Sequence, residues 1–403
     1  MRIVLLVDDF LPESTKIHAK MFYDLALELI GRGHQVVVIT PGSWNQKQNL
    51  IVDCLDGIEI WRFKSKPTRG VGKVRRAINE TMLSWRAYRA IASRVRLQAF
   101  DLCVNYSPTI FYGPLAYYLK QLGAYNYLVL RDFFPQWVID QGMIKSNSMI
   151  AKYFRYFEHF NYKVSDCVAV QSKANLKIFH DMYKSHDNVK VLMNWAEVKQ
   201  SEAAVNAGIR KKFSLNGKVI FFYGGNIGHA QDMSNILRLA KRFLPIKEAH
   251  FLLVGQGDEF TLVSNTIKNW RLQNTTLLPS VSQDDYKNIL QEVDVGLFSL
   301  SSKHRAHNFP GKLLGYMAES LPILGSVNTG NDVIEVLNDG NAGLVTVNGF
   351  DDDFFSNAMA FVHDDILREK MGRASFELLK RQFSVSAAVD EILDQVTIGK
   401  EYK

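Results

Sequence analysis

Short apolar runs alternate along this chain with longer stretches in which apolar residues return every three or four positions. Residues 3–7 are a continuous apolar run, the pattern of a strand covered on both faces. Over 17–31 the pairs Leu25-Ala26 and Leu29-Ile30 stand one helical turn apart, and Gly31-Arg32-Gly33-His34 closes the pattern with helix-ending glycines. A second apolar run at 35–40 completes a strand, helix and strand, the unit of a parallel sheet with right-handed crossovers. Further strands are predicted at 58–63, 102–105, 127–130, 167–171 and 191–195, with helices near 111–122 and 150–164. The polar stretch 197–216 reads as a linker with a short helix.

The alternation then restarts. A strand at 219–223 runs into the glycine loop Gly224-Gly225-Asn226-Ile227-Gly228 and a helix at 233–243. Strands at 250–254 and 276–278 end in Gly255-Gln256-Gly257-Asp258 and Pro279-Ser280-Val281. A strand at 293–300 leads to a helix opened by Pro310-Gly311, and the regular pattern ends at 323–324. The tail 383–396 carries Phe383, Val385, Ala388, Val389, Ile392 and Leu393 at helical spacing and is expected to strap back onto the first domain. The expected architecture is α/β, two Rossmann-like doubly wound domains, 1–197 with 384–403 and 205–383. In such sheets the loops at the carboxyl ends of the strands line the ligand crevice. Those of the first domain hold Lys16, His18, Ser107, Arg131 and Asp132. The glycine loop lacks the G-x-G-x-x-G spacing of a dinucleotide fingerprint.

Length supports the two-domain reading, since 403 residues exceed a single core. No apolar run approaches the ~20 residues that span a bilayer, and the opening strand runs straight into acids, so a cytoplasmic protein without a signal peptide is expected. Cys54, Cys103 and Cys167 are odd in number and far apart, as reduced thiols are. Charge changes the picture more. Residues 1–195 hold 26 Lys+Arg against 16 Asp+Glu, and from Arg62 to Phe100 eleven basic residues oppose Glu80 alone. Within that stretch Val74, Ile78, Met82, Trp85, Tyr88, Ile91 and Val95 recur at helical spacing over 71–97, the pattern of an amphipathic helix or helical hairpin. Two readings stand. One is a surface helix with a solvated basic face. The other is docking on an anionic membrane through Arg75, Arg76, Trp85, Arg86 and Arg89, at about 1 kcal/mol per basic residue. No nucleic-acid partner is expected, because no binding motif accompanies the charge.

The chemistry converges on the helix after Pro310. Helix N-termini favour acids, yet the first turn here holds Lys312 and no carboxylate. Either that lysine points to solvent, or its amine and the turn's amides cradle an anion such as phosphate. Asp132 either orients a hydroxyl or caps the helix that follows. Asp351-Asp352-Asp353 matches a metal-binding D-x-D pattern, but between Asn348-Gly349 and Phe354-Phe355 it reads as the acidic start of a helix, and no metal is expected.

GRGHQVVVIT (31–40), RDFFPQW (131–137), VLMNW (191–195), FFYGGNIGHAQDM (221–233), LLVGQGDE (252–259) and FPGKLLGYMAESLPIL (309–324) together resemble, over nearly the whole chain, the family 4 retaining glycosyltransferases of GT-B fold. The KLL-YMA-LP skeleton is that of the family's donor-phosphate helix. The resemblance implies two domains facing a cleft and a UDP-sugar on the second of them. Donor contacts would come from Gly225, Asn226, Gln231, Gly255, Gly257, Val281, Lys303, Gly311, Lys312 and Leu313, with Arg305 as a further cation. Lys312, His307 and Asp132 would serve catalysis, and no cofactor or metal is implied. The implied acceptor is a polyprenyl-diphosphate-linked sugar at the cytoplasmic face of the inner membrane, met by Lys16, His18, Ser107 and Arg131. One departure matters: the family's two glutamates, eight apart, fall on His307 and Gly315. The loop residues Gly225, Asn226, Gly228 and Gln231 resemble the branch that builds bacterial surface polysaccharide, in particular WbuB-type O-antigen transferases of N-acetyl-L-fucosamine. A nucleotide-sugar 2-epimerase and a non-catalytic assembly scaffold are the alternatives.

Overall fold

A computed structural model describes residues 1–14, 16–68, 70–107, 109–140, 142–184, 186–198, 208–302 and 309–401. Lys303, Arg305 and His307 lie outside the described residues. The chain divides into two units, Met1–Trp195 with Val385–Lys403, and Ala196–Ser384.

The first unit is built on eight strands: β1 (Arg2–Leu6), β2 (Gln35–Gly42), β3 (Leu50–Leu55), β4 (Ile58–Lys64), β5 (Leu102–Ser107), β6 (Tyr125–Leu130), β7 (Cys167–Val170) and β8 (Val189–Val191). Their order is β3-β4-β2-β1-β5-β6-β7-β8, parallel except for the antiparallel β3–β4 edge pair. At the centre Ile3 lies opposite Val36 and Leu102. Alternate side chains of β1 enter different layers. Ile3 and Leu5 join Phe22, Leu25 and Leu29, while Val4 and Leu6 join Ala87, Ile91 and Val95. Helices on both faces explain why the central strands read as unbroken apolar runs. The edge strand β3 has no such signal, and Val52 and Cys54 are exposed on it.

Two expectations are corrected here. The strand predicted at 191–195 sits at Val189–Val191, because Trp195 leaves the sheet and its buried indole N–H donates to the Met21 carbonyl at 2.8 Å. The stretch 71–97, expected as an amphipathic helix or helical hairpin, forms two helices, Lys73–Thr81 and Leu83–Leu97. Its inner face is also displaced: the break at Met82 turns the buried stripe to Leu83, Ala87, Ile91 and Val95, leaving Val74, Ile78 and Trp85 exposed. The last helix, Val385–Glu401, packs on Ile17–Gly31 and buries Val385, Ala388, Val389, Ile392 and Val396 in the first unit's core. Arg32 fixes it through Asp390 at 2.5 Å and the Ser386 hydroxyl at 2.7 Å.

The second unit has six parallel strands: β9 (Val219–Asn226), β10 (Ala249–Gln256), β11 (Thr275–Leu278), β12 (Val295–Ser299), β13 (Ile323–Val327) and β14 (Gly343–Val347). Their order is β11-β10-β9-β12-β13-β14. The strand β14, between Ala342 and Asn348, extends the regular pattern beyond its predicted end at 323–324. Chain order reverses between β9 and β12 here, and between β1 and β5 in the first sheet. At such a switch point the crossovers leave in opposite directions and the strand ends open a ligand crevice. Among the described residues no helix is long and apolar enough to cross a membrane.

Candidate functional site

At the second unit's switch point, β9 delivers Gly225-Asn226 and the short helix Lys312–Ala318 delivers its first side chain. Gly225 has φ +130°, and a Cβ placed there would touch Lys312 Cε and Nζ at 3.5 Å. The positive φ requires glycine there, and the amine lies in contact range of its backbone. The Lys312 Nζ is 3.6 Å from the centroid of the Tyr223 ring, buried, and without a hydrogen-bond partner among the described residues. Burial pushes this ammonium down to about 7. The ring face favours the charge, by ~0.5–2 kcal/mol for a cation so placed, but not enough to replace water. Of the two readings of Lys312, the solvent-facing one is not what the chain adopts.

The surroundings keep that amine in place. The Tyr316 hydroxyl accepts from the Gly224 N–H at 3.0 Å and donates to the Leu297 carbonyl at 3.2 Å, bridging β9 to β12. The Tyr223 hydroxyl donates to the Asn226 carbonyl. Asn226 and Gln231, both predicted donor contacts, bond to each other at 2.9 Å on the exposed rim. Val281 and Gly311 are exposed at the same carboxyl side.

Three predicted donor residues have packing roles within the second unit. The Leu313 side chain is fully buried and its amide donates to the Pro310 carbonyl at 3.0 Å, so it offers a phosphate nothing. Gly255 is a glycine because a Cβ there would sit 1.8 Å from the Gly225 carbonyl oxygen, and Gly257 meets the Ile227 carbonyl in the same way at 2.2 Å. Close backbone approach by itself requires glycine at both positions. Asp351 and Asp352 open the helix Asp351–His363 and pair with Arg238 and Arg242, each at 2.9 Å.

The first unit's switch point gathers Lys16, His18, Ser107 and the Arg131-Asp132 turn. Lys16 pairs with Asp9, and His18 Nε2 stands 3.5 Å from Asp8 Oδ1 with its ring 5.5 Å from that of Tyr106. Ser107 is buried and its carbonyl accepts the Arg131 N–H at 3.2 Å. Burial lowers the Arg131 pKa against the pull of Tyr106 and Asp132. Asp132 is exposed and stands four residues ahead of the helix Gln136–Asp140, too far to cap it. Asp8, Asp9, Tyr106 and Tyr223 were absent from the predicted set. The acids were visible as a pair at the end of the first apolar run, but the aromatic partners carry no local signal.

Of the predicted membrane residues, Arg75, Arg76, Trp85 and Arg89 are exposed, with Arg76 bonded to Glu80 at 2.8 Å and Arg89 4.9 Å from the Trp85 ring. Arg86 is half-buried, donating to the Asn79 carbonyl at 3.3 Å.

Two parallel-stranded Rossmann-like units, the last helix of the chain returned to the first, are the GT-B fold. Over 100% of both chains the structure is similar to sucrose-phosphate synthase from Thermosynechococcus elongatus, with TM-score 0.72 at 12% identity. It is similar to WaaG, a glycosyltransferase involved in lipopolysaccharide biosynthesis, over 98% of this chain and 99% of that one (TM-score 0.65, 14% identity). It is similar also to Anabaena Alr3699/HepE in complex with UDP-glucose, over 99% and 100% (TM-score 0.67, 12% identity). Residues 206–377, most of the second unit, match the family model of glycosyl transferases group 1. In sequence the chain is 23% identical over 333 residues to the putative colanic acid biosynthesis glycosyl transferase WcaI of Escherichia coli, covering 79% of this chain and 81% of WcaI. It is 26% identical over 234 residues to the probable glycosyltransferase WbjE of Pseudomonas aeruginosa, covering 55% and 56%.

Proposed function

We propose that this chain is a glycosyltransferase of bacterial surface polysaccharide synthesis, moving a sugar from a UDP-linked donor to a polyprenyl-diphosphate-linked acceptor. The observation that carries the reading is the Lys312 amine, buried beside Gly225 with no partnering carboxylate among the described residues. A diphosphate would complete it. As the bond from the sugar to the diphosphate breaks, negative charge grows on the leaving group, and a preorganised cation in a dry site stabilises that charge, by ~3 kcal/mol for one such donor. Asp132 and the His18 region would orient the acceptor hydroxyl. The names of WcaI, WbjE and WaaG support the pathway class, and the UDP-glucose complex of HepE supports the donor class. N-acetyl-L-fucosamine, as in the WbuB-type branch, is the sugar we propose.

The test is a thermal-unfolding screen of nucleotides and nucleotide sugars. A ligand at a hundred times its Kd stabilises by ~2.7 kcal/mol. UDP and UDP-sugars are expected to raise Tm in the native chain and not in Lys312→Ala; a flat response to every nucleotide would remove the donor site. Incubating the UDP-sugar without acceptor separates the epimerase alternative, which alone would release a free epimerised sugar.

The acceptor's lipid requires the inner face of the cytoplasmic membrane, and the basic helices supply a docking surface. Changing Arg75, Arg76, Arg86 and Arg89 to Glu is expected to abolish salt-sensitive sedimentation with anionic vesicles. Unchanged sedimentation would end the membrane assignment.

A further inference from the structure

Trp44, exposed after β2, draws three cations around one ring. Lys64 Nζ, Lys66 Nζ and the Arg86 guanidinium carbon stand 5.4, 5.0 and 5.9 Å from its centroid. No carboxylate answers them among the described residues. Lys64 donates to the Gln46 carbonyl at 2.8 Å and Arg86 to the Asn79 carbonyl, while Glu80 is held by Arg76 and Glu59 accepts from the Trp61 indole. Beside the ring opens a groove of about 580 Å³. Its lining is apolar at Pro67, Val74 and Ile78 and cationic at Lys66 and Arg75. Val74 and Ile78 are 75% and 58% exposed, which is hydrocarbon left in water on the same surface as unanswered positive charge.

Each half of that description asks for a different thing. Cations clustered without acids favour an anion. Exposed branched side chains favour a hydrocarbon. One ligand satisfies both if its anionic head and its chain are adjacent. The groove's volume falls within the ~300–1,000 Å³ of ordinary small-ligand pockets, enough for a head and the first part of one chain.

We propose that the groove beside Trp44 is a binding site for a prenyl phosphate lipid, with its phosphate among Lys66, Arg75 and the cations around the indole and its first hydrocarbon units along Pro67, Val74 and Ile78. The proposal rests on the reading of a lipid-linked acceptor and names where the lipid end is held. It differs from general surface docking, because Arg89 over Trp85 serves the surface but does not line the groove.

The full chain is floated with phosphatidylcholine vesicles carrying farnesyl phosphate, farnesol, or phosphatidylserine at a charge matched to the farnesyl phosphate. Farnesyl phosphate is expected to recruit more protein than either of the others. Lys66→Gln and Trp44→Ala are each expected to cut that excess about fivefold, as the loss of one cation's worth of headgroup attraction would. Arg89→Gln is expected to lower binding to both anionic vesicles equally, keeping the preference. Equal recruitment by farnesyl phosphate and phosphatidylserine, or a preference untouched by Lys66→Gln, overturns the groove and leaves the membrane reading standing. Failure to bind any anionic vesicle overturns both. Should Trp44→Ala unfold, Lys66→Gln carries the same test from an exposed side chain.

Discussion

The two switch points use the same topology and opposite electrostatics. In the first unit Lys16 meets Asp9, His18 meets Asp8, and Arg131 lies beside Asp132. In the second, Lys312 meets an aromatic ring and a glycine backbone. A neutralised polar patch suits a ligand that presents hydroxyls. A lone, desolvated cation suits one that brings its own negative charge. The doubly wound sheet supplies the opening in both cases, and only the side chains at the strand ends decide which kind of molecule belongs there.

The strongest way to break the contrast is to remove the lone cation. Lys312→Ala is expected to lower turnover at least ~100-fold, the usual loss for a preorganised charge-stabilising group, while leaving Tm nearly unchanged. Transfer assays and thermal unfolding of the variant check both halves, and near-normal activity would put the second switch point on the same footing as the first. Next in size is the backbone beneath it. Gly255→Ala drives a methyl into the Gly225 carbonyl and is expected to cost ~1–3 kcal/mol, read as a lower urea midpoint.

Proton linkage sharpens the contrast further. The lysine's pKa is lowered on folding to about 7 from 10.5, so between those values the unfolded chain binds the extra proton and stability rises with pH, by up to ~1.4 kcal/mol per pH unit. Compared with Lys312→Met, the native chain is expected to gain stability from pH 7 to pH 9. UDP affinity is expected to fall over the same range, since the free amine must take up a proton to meet the diphosphate. Titration calorimetry at both pH values checks this, and pH-independent affinity would place the diphosphate elsewhere. The smallest effect belongs to the first unit. Lys16→Met breaks a partly exposed pair and is expected to cost no more than ~1 kcal/mol in urea unfolding.

What the sequence made legible follows from where the forces are local. The central strands are apolar on both faces, so β1, β2, β9 and β12 stand out in any reading. A first helical turn with a lysine and no acid singled out Lys312 for the same reason. Gly255 is ambiguous in the sequence, because the need for glycine is written identically whether a ligand or a neighbouring carbonyl comes close. Val74 and Trp85 misled because the break at Met82 contains neither proline nor glycine, so nothing local shows where the buried face turns. Tyr223 was illegible as the platform for the amine: a ring at a buried strand position reads as core, and its partner arrives from a distant helix.

The helix Val385–Glu401 bears on how this protein comes off the ribosome. Its residues complete a hydrophobic layer whose other members, Phe22, Leu25 and Leu29, are translated before the second unit. Synthesis of the entire second unit intervenes, so Ala196–Ser384 has all its strands available to fold while the earlier half still lacks a wall of its interior. The usual amino-first order of domain maturation is thereby reversed in its final step, and a nascent chain stalled before residue 385 is expected to shield the second sheet from protease sooner than the first.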